Sequence, residues 1–519
     1  MKQVTALTLP LNPDSATPYY IQLYDELRKS ILQGALPPGV RLPSTRAFAK
    51  QFSISRNTVT TAFDQLLAEG YLEGRSGSGT FVASRLPEDL LTVRTKRGES
   101  PSAPRREPRI SKSAKLMMET SLSASVTCSV GESGSPRAFK PHLSAFEEFP
   151  VEAWLKITAR CWRKPQSDLL GYGDAAGYRP LRQQIAEYVK ASRAVRCEAE
   201  QVIVISGSQQ GLDLAARILV DPGESVWLEE PGYLGARAAF RSSGAKLVPV
   251  PVDDEGLMVE IGMQRDRRAR VVYVTPSHQY PLGATMSLCR RLELLEWAHR
   301  SSAWILEDDY DSEYRYSGRP LASLQGLDTQ NRVIYIGTFS KVLLPSLRLG
   351  YLVVPPDLIE AFTRARGHAD GHSPLVEQAV LAEFIAEGHF SRHIRRMRNL
   401  YEERQGYMVA ALRQELGGIL EVNPTEAGMN LIGWLPEGVD DRAMALRAAE
   451  FGIDATPLSR HALEPMKRGG LLLGYAALSK REISQGARKL AKALLFQGEN
   501  RINGLSGQLA LHAGEAGLL

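Results

Sequence analysis

The chain has 519 residues, a hydrophobic content of 43%, a charged content of 23% and a formal net charge of +5. That length exceeds one ordinary core and predicts two or three domains, and the composition is that of a soluble globular protein. The mild net charge excludes a bulk polybasic binder, so any nucleic-acid reading must rest on local clusters. No run approaches the roughly 20 apolar residues of a membrane helix, and "MKQVTALTLPLNPDS" lacks the apolar stretch of a signal peptide. A cytoplasmic protein with no membrane partner is therefore expected. Cys128, Cys161, Cys197 and Cys289 form no C-x-x-C pair, and no Cys/His cluster has zinc-ligand spacing, so isolated thiols and no metal site are expected.

Residues 12–83 predict a compact unit. In "PYYIQLYDELRKSILQG" the side chains of Tyr20, Leu23, Leu27 and Ile31 share one helical face, and Gly34 ends the helix. "LPSTRAFAKQF" starts a second helix, with Ser44 as its N-cap. "SISRNTVTTAFDQLLAEG" predicts a third, with Val59, Phe63, Leu66 and Leu67 facing inward and Gly70 stopping it. "YLEGRSGSGTFVAS" then reads as strand, glycine-rich turn, strand. Three short helices and a hairpin outline a winged helix-turn-helix, mainly α with a β wing.

A DNA reader needs polar side chains at the N-terminal end of the helix that enters the major groove. Arg56 can donate a fork of hydrogen bonds to guanine or phosphate, and Asn57 and Thr58 can reach a base edge or a phosphate. Thr60 completes the candidate contacts on this helix. Arg41 and Arg46 lie before and within the preceding helix, where phosphate contacts position a reader. Arg75 and the wing glycines permit close approach to a groove. The segments PPG-x-RLPS-x-R, SR-x-TV and EGYL…GSGTFV occur in order, and the stretch from Leu23 to Val82 resembles the GntR-type winged helix of bacterial regulators. The resemblance implies a double-stranded DNA operator as partner.

Residues 84–135, including "RTKRGESPSAPRREPRISKSAK", are rich in Pro, Ser, Arg and Lys and poor in large apolar residues. They read as a basic linker, either a plain tether or one that also touches phosphates. The tail, 499–519, shows no core pattern, and there is no internal repeat.

Residues 136–498 alternate apolar strands ("VIVIS", "SVWLEE", "RVVYVTPS", "AWILEDD", "RVIYIG") with amphipathic helices, an α/β pattern with a mostly parallel sheet. "GTFSKVLLPSLRLGY" places Lys341 in a hydroxyl-rich turn between two buried strands. Lysine chemistry with an aldehyde cofactor needs more than the lysine. It needs a carboxylate for the pyridine nitrogen, a phenol for the ring oxygen, an aromatic face, and a phosphate site built from a helix start, hydroxyls and an arginine. Asp308 and Tyr310 in "WILEDDYDSEYRY" suit the first two roles, and Tyr233 in "LEEPGYLGAR" the third. The backbone of Ser208, Gln209 and Gln210, with Thr338, Ser340 and Arg348, suits the last.

Order and spacing of this set resemble the fold-type I aminotransferases: a large domain, then a small C-terminal α+β domain. The resemblance implies pyridoxal 5′-phosphate as a Schiff base on Lys341. It also implies that Tyr172, in "LLGYGDAAGYRPLR", reaches the neighbouring subunit's phosphate, and that Arg460, in "ATPLSRHALEP", pairs with a ligand carboxylate. "TPSHQYPLG" departs from the family's Asn-Pro-x-Gly turn, with Tyr280 in place of asparagine; His278 is either near the ring or a plain turn histidine.

Both halves together resemble the MocR (GabR-like) regulators. That implies a head-to-tail homodimer in which the cofactor, or its reaction with a small amine or amino-acid effector, changes how the readers are held. The expected function is a pyridoxal-phosphate-dependent transcription regulator. The alternatives are a working aminotransferase with a DNA-binding appendage and a cofactor-free scaffold. Effector and operator are not legible.

Overall fold

A computed structural model describes residues 9–13, 15–75, 78–86, 109–119, 138–163, 167–317 and 322–495. Most of the expected linker and all of the expected tail lie outside the described residues, as do Ser76 and Gly77 of the wing and Cys128. The chain divides into two compact units, Met1–Pro108 and Arg109–Leu519.

In the first unit, α1 (Tyr19–Leu32) buries Leu23, Leu27 and Ile31. Tyr20, expected on the same face, is exposed, because it sits in the first turn, before the helix reaches the core. α2 (Thr45–Gln51) begins at Ser44, whose Oγ accepts the Ala47 N–H at 3.2 Å. α3 (Arg56–Ala68) buries Val59, Ala62, Phe63 and Leu66, while Leu67 is half-buried against the same core. Phe48 and Phe63 meet edge to face at 5.2 Å and tie α2 to α3. β1 (Leu72–Arg75) and β2 (Gly79–Val82) pair antiparallel from Leu72↔Val82 to Arg75↔Gly79. Residues 39–42 extend this wing: the Leu42 N–H donates to Thr80 O and the Val82 N–H to Val40 O, both at 2.9 Å.

The second unit is built on an eight-stranded sheet. Its strands are β3 (Val202–Ile205), β4 (Ser225–Glu230), β5 (Lys246–Asp253), β6 (Gly256–Leu257), β7 (Val271–Val274), β8 (Trp304–Asp309), β9 (Val333–Thr338) and β10 (Gly350–Val353). The order is β3-β10-β9-β8-β7-β4-β5-β6. The pairs from β5 through β4, β7 and β8 to β9 are parallel; β10 runs antiparallel to β3 and β9. β3, β4, β7, β9 and β10 are buried along their whole length, which is why they read as near-continuous apolar runs. A second, antiparallel sheet, ordered β11-β12-β14-β13, comprises β11 (Glu421–Val422), β12 (Asn430–Trp434), β13 (Thr456–Pro457) and β14 (Gly470–Gly474). The helices His389–Leu416 and Lys480–Leu495 bury Met408, Leu412, Ile483 and Leu490 in the same core as β12 and β14.

Within the stretch expected to be a linker, Lys112–Glu119 forms a helix. Ser113 Oγ donates to Ser242 O at 2.7 Å, and Ser113, Ala114 and Leu116 are half-buried. One small polar anchor and a short apolar face give this piece order that its basic, proline-rich surroundings did not suggest. No helix among the described residues is long and apolar enough to cross a membrane.

Candidate functional site

The parallel strands end in one crevice, as open α/β sheets do. β8 delivers Asp308, β9 delivers Thr338 with Ser340 and Lys341 just beyond it, and the turn after β4 delivers Tyr233. The helix Ser208–Leu219 starts directly after β3. These residues, with Gln209, Tyr310 and Arg348, line one cavity of about 200 Å³.

Burial governs the charges here. It pushes the Asp308 carboxyl up to about 7, aided by the carboxylates of Asp309 and Asp311 and opposed by Tyr273, whose hydroxyl donates to Asp308 Oδ2 at 2.8 Å. It pulls the Lys341 amine down to about 8, against the attraction of Asp311 and Asp308. Beneath them the Arg193 Nε–H donates to Asp309 Oδ2 at 2.7 Å in a buried ion pair.

At the other end, Gly207 has φ +100° and carries no side-chain cap for the helix that follows, leaving N–H groups at its start for an anion. The Arg348 guanidinium lies over Gly207, where a Cβ would come within 3.1 Å of it, and donates to Ser206 O at 2.6 Å. The Thr338 hydroxyl accepts the Ser340 N–H at 3.2 Å. Gln209 Oε1, Asp308 Oδ1 and Ser340 Oγ are buried without a hydrogen-bond partner. Buried polar atoms are costly when unpaired. This donor and acceptor set fits a ligand with a protonated ring nitrogen at the Asp308 end and a phosphate at the Arg348 end.

Gln210, Tyr172, Arg460 and His278, all named from the sequence, stand outside the cavity wall. The Gln210 side chain accepts the Ser206 N–H at 2.8 Å and donates to Asp370 Oδ2 at 3.1 Å, while its backbone N–H donates to Gly207 O. Tyr172 is fully exposed. Arg460 is half-buried in the turn Leu458–His461, where its charge bears on Tyr280 and His461.

The cavity also contains residues that the sequence reading passed over: His142, Tyr273, Thr275 and Pro345, with Tyr280 in place of the family's asparagine. Asn430 Oδ1 accepts the backbone N–H of His142 at 3.0 Å, which turns Asn430 Nδ2 toward His142 Nδ1 at 3.4 Å. His142 Nδ1 is thereby an acceptor, and its Nε2–H faces the Tyr280 hydroxyl at 3.0 Å. Burial, then the Lys341 charge, holds the His142 imidazole well below the usual histidine range. A hydroxyl in the otherwise apolar "VVYV" was the one signal for Tyr273, since a buried phenol must find a partner. Nothing local marked His142. Among the described residues no His, Cys, Asp and Glu group could hold a metal ion.

In the first unit Arg41, Arg46, Arg56 and Asn57 are exposed and Thr58 and Thr60 half-buried. Ser55 caps α3: its Oγ accepts the Thr58 N–H at 3.1 Å and lies 2.8 Å from the Thr58 hydroxyl. Arg75 pairs with Glu73 at 2.7 Å and stacks on Phe81 at 4.7 Å, while the Arg41 side chain packs against Gly79. Arg41 and Arg75 thus share the wing, and Arg56 and Asn57 open the third helix.

Fold and cavity define an aminotransferase-like domain carried with a helix-turn-helix reader. Two family models match: aminotransferase class I and II over residues 142–490, and the gntR family of bacterial regulatory proteins over residues 19–82. MocR of Rhizobium meliloti, a probable rhizopine catabolism regulatory protein, is 43% identical over 487 residues, covering 94% of this chain and 96% of its own. PdxR of Corynebacterium glutamicum, an HTH-type pyridoxine biosynthesis transcriptional regulator, is 30% identical over 477 residues, covering 91% and 95%. Among solved structures, LysN of Thermus thermophilus, an α-aminoadipate aminotransferase complexed with N-(5′-phosphopyridoxyl)-L-leucine, is 33% identical with a TM-score of 0.64, covering 69% of this chain and 92% of that one. The chain belongs to the MocR-type GntR transcriptional regulators, in which a GntR helix-turn-helix is joined to an aminotransferase class I and II domain.

Proposed function

We propose that this regulator holds pyridoxal 5′-phosphate on Lys341 and changes its grip on an operator when a small amine or amino acid, or the cofactor itself, occupies the cavity. The observation that carries this reading is the convergence of Lys341, Asp308, Tyr310, Tyr233 and Arg348 on one cavity with three unpartnered polar atoms, in a chain that also carries a DNA reader. The cofactor supplies an aldehyde for an amine and an electron-withdrawing ring. The chain's own residues do the rest. Asp308 Oδ1 accepts the proton of the ring nitrogen. Tyr233 gives the ring a face, and Tyr310 donates to its oxygen. The start of the helix Ser208–Leu219, with Thr338, Ser340 and Arg348, holds the phosphate. Arg460, beside the cavity, is the partner for a ligand carboxylate.

The exposed Tyr172 and the exposed apolar side chains Leu155, Trp162 and Leu170 support a homodimer in which Tyr172 completes the other subunit's phosphate site. In the reader, Arg56 and Asn57 contact base edges or phosphates, while Arg41, Arg46 and Arg75 contact the backbone. Thr58 and Thr60 flank them. A DNA reader of this kind works in the cytoplasm.

A ligand shifts a regulator only if it binds its two arrangements unequally. The test is therefore a paired titration of the holoprotein: ultraviolet–visible absorbance and operator affinity, each against candidate amines. Matching changes support the sensor. Sustained turnover of amino donor and 2-oxo acid favours the enzyme instead, and a protein without a cofactor band removes both.

A further inference from the structure

Tyr310 does not stand alone at the cavity wall. Its hydroxyl lies 3.0 Å from His278 Nδ1, and the same nitrogen lies 3.0 Å from both Oδ1 and Oδ2 of Asp311. Asp311 is 1% exposed and His278 7%, while Tyr310 is half-buried at the cavity wall. An ionised carboxylate only accepts hydrogen bonds. The hydrogen between His278 and Asp311 therefore sits on Nδ1. A nitrogen that carries a hydrogen cannot accept one from a phenol. The Tyr310 oxygen consequently faces an N–H, and its own hydrogen is left for an acceptor elsewhere. Tyr310 lines the cavity, so the acceptor that remains is there. Burial, joined by the charges of Asp311 and Asp308, keeps that phenol protonated.

The imidazole is seated from outside the cavity as well. Gly428 has φ +100°, and a Cβ there would overlap the His278 ring; a Cβ at Gly283, φ +81°, would lie 3.3 Å from its Nε2. The His278 and Tyr310 rings lie 5.9 Å apart, tilted by 30°. The other groups facing Tyr310 are Asp308, Glu229 and the Tyr280 phenol. Asp311 also acts directly on Lys341, so it has two lines of influence. His278 touches the cavity wall through the Tyr310 hydroxyl, and its charge bears on His142.

We propose that His278, held by Asp311, is a positioning residue that fixes Tyr310 as a hydrogen-bond donor into the cofactor cavity. The proposal rests on the reading that the cofactor binds there, and it assigns the "SHQY" histidine a task beyond filling a turn. A donor at the ring oxygen favours its anionic form, so loss of the donor raises the pH at which the bound cofactor's visible band titrates.

The test uses the full-length holoprotein and follows that band against pH in His278→Phe, Tyr310→Phe, the double variant and the conservative His278→Gln. The expected result is an upward shift of about one pH unit in each single variant, no further shift in the double variant, and a midpoint near wild type in His278→Gln, whose amide keeps an N–H. No shift in His278→Phe, or a shift that adds in full to that of Tyr310→Phe, overturns the proposal. Should His278→Phe lose its fold by circular dichroism, His278→Ala takes its place in the same cycle under the same criteria. A wild-type protein with no visible band sinks the functional reading, a different result from an unchanged midpoint.

Discussion

The two units carry their chemistry in opposite ways. In the N-terminal unit the candidate contacts Arg41, Arg46, Arg56 and Asn57 are exposed, and the core beneath them, Leu23, Leu27, Phe48 and Phe63, is apolar. In the C-terminal unit the cavity groups are withdrawn further from water: Asp308 is buried, Tyr233, Tyr310 and Lys341 are half-buried, only Arg348 among the charged ones stays exposed, and burial moves both the Asp308 carboxyl and the Lys341 amine toward neutrality. A reader must meet a partner larger than itself and keeps its donors in water until it does. A site for a small reactive molecule gains by excluding water, which strengthens every charge interaction inside. One unit therefore tolerates losing a side chain locally, whereas the other is a set of mutually dependent groups.

Removing Lys341 gives the largest contrast. In Lys341→Ala, borohydride treatment after incubation with cofactor leaves no pyridoxyl adduct on the 337–351 peptide, whereas affinity of the apoprotein for operator DNA is unchanged. Loss of operator binding under every ligand condition breaks the division of labour between the units.

The next effect is in pH. A half-buried lysine whose desolvation lowers its pKa to about 8 is mostly neutral above that value and mostly protonated below it. Only the neutral amine captures an aldehyde. The rate of cofactor capture by the apoprotein, followed by stopped-flow absorbance, therefore rises about tenfold per pH unit below about 8 and levels off above it. The linkage has the matching sign. The folded-state pKa lies below the ordinary lysine value, so the apoprotein loses stability as pH falls from the ordinary lysine range toward 8. A rate that keeps climbing to pH 10 contradicts the enclosed site.

On the proposed reading Asp308 faces a protonated ring nitrogen, so Asp308→Asn weakens cofactor retention by about 1.5–3 kcal/mol, measured by equilibrium dialysis. Arg56→Ala weakens operator binding by about 1–3 kcal/mol if the guanidinium contacts a base; an unchanged footprint removes it from the interface. Ser55→Ala, which deletes the cap of α3, costs the first unit about 1 kcal/mol and lowers its melting temperature without touching the cofactor band.

Legibility followed the same divide. The helix faces of Leu23, Leu27 and Ile31, the Ser44 cap and the paired wing strands could all be read from the sequence, because each is decided by neighbours within a few turns. The Ser55 cap carried the same kind of signal and was passed over. In the larger unit, the strand ends bearing Asp308 and Thr338 and the turn bearing Lys341 were legible as chemistry out of place in apolar runs. The groups that finish the cavity were not. Ser144 Oγ donates to Lys341 O at 3.0 Å across 197 residues of chain, and His142 reaches Tyr280 across 138. Gln210 was misplaced for the converse reason: its backbone N–H and side chain are taken up by Gly207, Ser206 and Asp370, and only the fold brings Asp370 there.

The order of residues alone determined that a GntR-type helix-turn-helix precedes an α/β domain of the aminotransferase kind, with a lysine, a carboxylate and an arginine at or beside its strand ends. Periodicity and residue chemistry are properties of the chain, and they survive without a folded molecule. Only the tertiary structure decided which groups face His142 and His278, which phenol stands at the cavity wall and how far Lys341 is driven toward its neutral form. Those outcomes depend on which groups burial leaves facing one another once water is gone.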